Sequence, residues 1–165
     1  MKNMTTRHDF HKAVIGRSEL LKFVDADIIN VPAKTDTGAY QSSVHASDIK
    51  LEEDGTLSFT LLGGHPMCGA MAGKFSVDKF KIVKISNSFG HEESRYEVDL
   101  KVKVGPKVFK AKFTLADRSR KTYPVLLGRE LMNHRFLVDP SENNINRELL
   151  KRDYEINFPL VEEDL

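Results

Sequence analysis

The 165-residue sequence predicts a single, mainly β domain. Three observations carry that prediction. Apolar and polar residues alternate over much of the chain, as in strands with one buried and one wet face. Clusters of Gly, Asn, Asp and Pro, such as EEDG and SNSFGHEE, separate these runs. Helical signals are confined to two short segments, and many short strands with turns between them imply a sandwich or barrel.

In chain order, the strand candidates begin with AVIGRSELLKF (13–23), IINVPAKTD (28–36) and SSVHASDIKLE (42–52). TLSFTLL (56–62) and KFKIVKIS (79–86) follow. The clearest is EVDLKVKV (97–104), with Val98, Leu100, Val102 and Val104 on one side and Glu97, Asp99, Lys101 and Lys103 on the other. Gly105-Pro106 supplies a turn, and VFKAKFTL (108–115) repeats the alternation with Phe109, Ala111, Phe113 and Leu115 inward. These two form a hairpin. YPVLLG (123–128) is the last strand candidate, followed by a short helix over RELMNHRF (129–136) and another over INRELLKRDY (145–154). Helices this short depend on tertiary packing.

Length and composition bound the function. A chain of this size buries a core without staples. Lys+Arg number 25 against 24 Asp+Glu, so no overall field draws in nucleic acid or an anionic membrane. Lys79, Lys81, Lys84, Lys101, Lys103, Lys110 and Lys112 alternate with inward apolar residues and read as solvated sheet faces, with no aromatic stacking platform. Cys68 is the only cysteine, which excludes an internal disulfide and fits a reducing compartment. No run approaches the roughly 18 apolar residues of a membrane span, and the opening residues have no signal-peptide core. The expectation is a cytoplasmic protein with no nucleic-acid or membrane partner. No glycine-rich phosphate loop marks an ATP site, and no cofactor is expected. The expected organisation is a tail over 1–12, a β domain over 13–145 and a C-terminal extension over 146–165.

The stretch with most chemical content is KTDTGAY, in which Asp36 follows a strand end and precedes Thr37-Gly38. Glycine permits the tight backbone that exposes a carboxylate. An acid at a turn is more often a turn stabiliser than a catalyst. Asp-Thr-Gly occurs once in the chain, whereas aspartic peptidase chemistry needs two such aspartates.

About ninety residues later, Leu126-Leu127 runs into Gly128-Arg129. The pairing of DTGA with an apolar-apolar-Gly-Arg block resembles the retropepsins, aspartic peptidases in which each subunit brings one Asp-Thr-Gly to a two-fold dimer. The resemblance is closer still to a bacterial family of retropepsin-like proteins once labelled ATP-dependent zinc proteases and linked to RimK-type ATP-grasp ligases. Its blocks are Ile15 to Glu19, Lys34 to Ala39, Ser42-Ser43-Val44-His45-Ala46, and Asp117-Arg118 through Pro124 to Gly128-Arg129, ending in Phe136 to Pro140. The resemblance spans most of the chain. It implies an acid-protease-like closed β-barrel with one or two short helices, acting as a homodimer on a peptide or protein substrate. It also implies a functional link to an ATP-grasp ligase. Asp36 of each subunit is then catalytic. Thr37, Gly38, Ala39, Gly128 and Arg129 support its loop, and the strand-like YEINFPL (154–160) is a candidate dimer contact.

Two departures from retroviral enzymes stand out. The acid that pairs with the second-motif Arg is absent, since Tyr40 and Gln41 occupy that stretch. Lys34 stands two residues before Asp36, on the same face of a regular strand, where its ammonium would favour the ionised carboxylate. Lys34 and His45 are therefore candidate modulators. The glycine-rich stretch from Thr60 to Gly73 is a candidate flap, with Gly63, Gly64 and His65 in it; the competing reading is an ordinary connecting loop. His45, His65, His91 and His134 form no HExxH motif, so no metal ligand is assigned. Two alternatives to the aspartic peptidase are a non-catalytic peptide-binding module of the same fold and a zinc-dependent peptidase.

Overall fold

A computed structural model of the chain describes residues 11–68, 72–87 and 89–145. The expected helix over 145–154, the YEINFPL strand and nearly all of both terminal segments lie outside them. The elements are β1 (Ala13–Phe23), β2 (Ile28–Thr35), β3 (Ser42–Leu51), β4 (Leu57–Leu61), β5 (Gly73–Val77), β6 (Lys81–Ser86), β7 (Glu92–Val104), β8 (Lys107–Ala116), β9 (Val125–Leu127), α1 (Arg129–Met132) and β10 (Phe136–Asn143).

Six strands close into a barrel in the order β1, β2, β9, β3, β8, β7, and back to β1. Closure removes the free edges that an open sheet would expose. The expected all-β, closed-barrel architecture is thus the one observed. The 97–104 and 108–115 hairpin is β7 with β8, Val98 facing Phe113 and Val102 facing Phe109. Its inward residues Val98, Leu100, Val102, Val104, Ala111, Phe113 and Leu115 are buried, and Phe23 meets Phe113 edge to face.

Strand β1 switches neighbours along one edge, pairing in parallel with β10 from Ala13 to Gly16 and antiparallel with β7 from Leu21 to Phe23. The register with β10 slips between Gly16 and Ser18, a bulge. A Cβ on Gly16 would stand 2.3 Å from the Glu142 carbonyl oxygen, so the strands approach too closely for any side chain there. Glu19 is buried, and its Oε1 accepts from the Gly16 N–H at 2.7 Å and from Asn144 Nδ2. These bonds satisfy a buried carboxylate.

Strand β3 runs beyond the barrel to pair with β4, and β4 pairs with β5. Strand β6 lies outside the barrel on β7, and among the described residues it pairs on that edge alone. Two strands were not expected from the sequence. In β10 the polar run and Pro140 hide a strand at the end of the sheet, where proline is tolerated. The expected helix over 129–136 stops after one turn, and its Phe136 opens β10. The short β5 begins at Gly73, the end of the glycine-rich stretch.

Candidate active site

Strand β2 ends at Thr35, and the chain swings out through Asp36–Gln41 before returning as β3. That excursion leaves a gap, which β9 fills, pairing in parallel with β2 and antiparallel with β3. The Asp36 N–H donates to the Leu127 carbonyl at 2.9 Å, tying the start of the loop to the end of β9. One Asp36 carboxylate oxygen, Oδ1, accepts from the Gly38 N–H at 2.9 Å. Asp36 is half-buried at the mouth of a cleft.

The Gly128–Glu130 segment braces the same loop. Gly128 N–H donates to Ser42 Oγ at 2.9 Å, Arg129 N–H to the Ala39 carbonyl at 2.8 Å and Glu130 N–H to the Tyr40 carbonyl at 2.9 Å. Arg129 Nη1 donates to the Thr37 carbonyl at 3.0 Å, and its guanidinium lies over the Tyr40 ring, 5.9 Å from the centroid. A backbone oxygen and an aromatic face thus take the place of the acid absent from the sequence. A Cβ on Gly128 would stand 2.5 Å from the Gln41 carbonyl oxygen. Gly128→Ala is therefore expected to lower stability by about 1–3 kcal/mol, the usual cost of overpacking. A lower urea midpoint at unchanged m-value would show it, and an unchanged midpoint would mean that the loop yields freely.

The IGRSE block supports the site from behind. Thr35 Oγ1 donates to the carbonyls of Arg17 and Gly16, at 2.9 and 3.1 Å, fixing the residue immediately before Asp36.

The cleft holds about 390 Å³ and is lined by Lys34, Asp36, Arg118 and Lys121 with Tyr123 and Leu126 among its walls. Three cations surround one acid. Lys34 and Asp36 share the face expected of positions i and i+2. Arg118, to which sequence reasoning assigned no role, is fixed by Nε donating to the Tyr123 carbonyl at 2.9 Å and Nη1 to Ser43 Oγ at 3.4 Å. Burial lowers its pKa, the nearby Arg95 of β7 adds to that, and Asp36 opposes it.

His45 and His65 sit behind this wall, both buried, their rings edge to face at 5.2 Å. His45 Nδ1 accepts from the Arg118 N–H at 2.9 Å, so Nε2 carries the proton that bonds the Gly63 carbonyl at 2.8 Å. His65 Nδ1 accepts from the Met67 N–H, and Nε2 bonds the Arg118 and Lys121 carbonyls, all at 3.0 Å. Burial, then electrostatic repulsion between the two imidazoles, pushes the His65 pKa down to about 4. Cys68 is buried nearby, and burial pushes its thiol up to about 12, leaving it un-ionised. Gly63 and His65 are packed in the turn after β4, and Gly64 is exposed there at φ +73°. A second exposed turn belongs to the β6–β7 hairpin. Its turn is closed by Asn87, whose Oδ1 accepts from the Phe89 and His91 N–H groups, and Phe89 is 85% exposed. Among the described residues no three His, Cys, Asp or Glu side chains converge to hold a metal ion.

The chain is similar to known proteins in sequence and in fold. A Legionella pneumophila protein of unknown function, Lpg0085, has a solved structure that superposes with a TM-score of 0.65 at 32% identity, over 80% of this chain and 96% of that one. Proteins named probable alpha-L-glutamate ligase are 31% identical over 146 residues in Desulfotalea psychrophila and 33% identical over 139 residues in Shewanella pealeana. Each match takes in 81% of this chain, which spans only 29% and 30% of the length of those relatives. The family model described as retropepsin-like aspartic endopeptidase RimB matches residues 14–148. With a barrel threaded by β9 beneath a single Asp-Thr-Gly loop, the chain belongs to the RimB-like family of retropepsin-like aspartic endopeptidases.

Proposed function

We propose that two copies of the chain associate about a two-fold axis and that their Asp36 side chains form the catalytic pair of an endopeptidase acting on acidic peptides. The observation that carries this reading is the Asp36 carboxylate, braced by β9 at the mouth of a cleft whose other charged lining groups are Lys34, Arg118 and Lys121. Two carboxylates held close together cannot both ionise cheaply, so they share a proton and titrate as a pair. The ionised member takes a proton from water as it attacks the scissile carbonyl. The protonated member donates to the carbonyl oxygen. Thr37, Gly38 and Ala39 hold the loop, and Gly128 and Arg129 support it without touching the reacting atoms.

The cations give the substrate class. Carboxylate side chains beside the scissile bond would meet three positive groups, where a basic peptide would be repelled. The relatives named as glutamate ligases point the same way, because a chain built of glutamate carries that charge at every residue. A functional partnership with such a ligase follows, one activity forming bonds in acidic chains and the other hydrolysing them. We assign the lid to the β6–β7 hairpin in preference to Gly63, Gly64 and His65, since Phe89 in its turn is exposed whereas Gly63 and His65 are buried.

Incubation of the protein with heptaglutamate, heptaglutamine and heptalysine, read by mass spectrometry from acid to neutral pH, tests this. Heptaglutamate is expected to be cut at internal bonds, insensitively to a metal chelator, and heptalysine left intact. Equal cleavage of all three would remove the acidic specificity. Cleavage lost to the chelator would move the chemistry to a metal, and binding without cleavage would leave a peptide-binding module.

A further inference from the structure

The geometry points to His45 and His65 as a paired buckle that sets the position of Arg118 and Lys121, and through them the affinity of the cleft for carboxylate-bearing peptides. The inference rests on the acidic-substrate reading for its functional consequence, but the buckle itself is a matter of hydrogen bonds. The segment between β8 and β9, residues 117–124, has no ladder to hold it. Its backbone groups must find partners elsewhere. The His45 N–H takes the Pro124 carbonyl, and the Arg118 side chain takes the Tyr123 carbonyl. The imidazole of His45 takes the Arg118 N–H, while that of His65 takes the carbonyls of Arg118 and Lys121. Arg118 is thus gripped on both sides of its own Cα. Its side chain is then held by Tyr123 and Ser43, leaving the guanidinium beside Asp36 little freedom.

The other ring atom of each histidine ties this grip to the β4–β5 connection: His45 through the Gly63 carbonyl and His65 through the Met67 N–H. Each ring is therefore a bridge between the cleft wall and the turn after β4. The rings touch each other, so displacing one disturbs the other's seat. Neither is itself among the residues that line the cleft. They are positioning residues and do not contact substrate.

The two ends of each bridge can be cut separately. Asparagine places its oxygen where Nδ1 of histidine lies, and glutamine places its amide nitrogen where Nε2 lies. His45→Asn keeps the acceptor for the Arg118 N–H and loses the bond to Gly63; His45→Gln does the reverse. At position 65 the pattern inverts, because the wall is held by Nε2. His65→Gln keeps the donor to Arg118 and Lys121, and His65→Asn loses it while retaining an acceptor for Met67.

The experiment measures hydrogen exchange of the Arg118 amide and heptaglutamate affinity for each variant in an Asp36→Asn background, which prevents turnover. His45→Gln removes the acceptor of the Arg118 N–H and His65→Asn the donor to the Arg118 and Lys121 carbonyls; each is expected to weaken peptide binding about tenfold and to speed Arg118 exchange, directly in the first and by loosening the wall in the second. His45→Asn and His65→Gln are expected to stay near the parent. General destabilisation would not produce this crossover. Equal effects of Asn and Gln at each position, or the opposite order, would overturn the buckle. Failure of the parent to bind heptaglutamate would sink the acidic-substrate reading instead, and the exchange comparison alone would then decide the buckle.

Discussion

Asp36→Asn is expected to lower peptide hydrolysis by at least the 10²- to 10⁴-fold typical of a lost general acid-base group, with little change in folding. The fold should survive because the amide oxygen can still accept from the Gly38 N–H, and the bond from the Asp36 N–H to Leu127 is made by the backbone. What is lost is the ability to share and exchange a proton across the pair. The same variant tests whether the site is shared. If one active site needs Asp36 from both copies, complete subunit exchange between equal amounts of wild type and variant leaves about one quarter of the dimers wild type at both positions. Activity would fall to about half of what the same wild-type protein shows unmixed. Activity unaffected by mixing would mean that each copy works alone, and the dyad would have to be abandoned.

Much of this site is legible in the sequence because it depends on side-chain identity and spacing. The alternation of Val98, Leu100, Val102 and Val104 placed the β7–β8 hairpin, and the same period placed Lys34 beside Asp36 in the cleft. The partner of Arg129 was not legible, because it is the backbone oxygen of Thr37 and the face of Tyr40, neither of which has a charge signature. Arg118, named in the sequence only as part of a family-like block, had no role assigned for a related reason. It lies in an aperiodic loop, and only the closing of β9 between β2 and β3 brings that loop to Asp36. His65 was placed with its glycine neighbours in a candidate flap. Glycines permit a packed turn as readily as a mobile tip, and here Leu62, Met67 and Cys68 bury the segment. Conversely, SNSFGHEE was read as punctuation, although Glu92 and Glu93 extend β7 to build the β6–β7 hairpin.

The buried imidazole of His65 should make the fold acid-sensitive. Its pKa in the folded protein is about 4, against about 6.5 in an unfolded chain. Between these values the unfolded state binds a proton that the native state does not, so stability rises with pH across the window. It is fully present above about 6.5 and is lost as pH falls toward 4. The shift corresponds to about 3 kcal/mol. Glu97 acts in the opposite sense: burial, then the charge of Glu130, raises its pKa, so its contribution is lost as pH rises through the folded value. A comparison with His65→Gln isolates the histidine, since glutamine cannot titrate. The unfolding free energy of wild type relative to the variant should fall by about 3 kcal/mol between pH 7.5 and pH 4. A difference that does not change with pH would show that folding leaves the His65 pKa where it is in the unfolded chain. The consequence bears on catalysis. A carboxylate pair that shares a proton favours acid, whereas the wall carrying Arg118 and Lys121 is secured by an imidazole whose protonation would forfeit the Met67 N–H bond to Nδ1. If the proposed Asp36 pair forms, the lower limit of the working pH range is set by His65 and the upper limit by the pair. The two sides of the pH profile therefore report different residues.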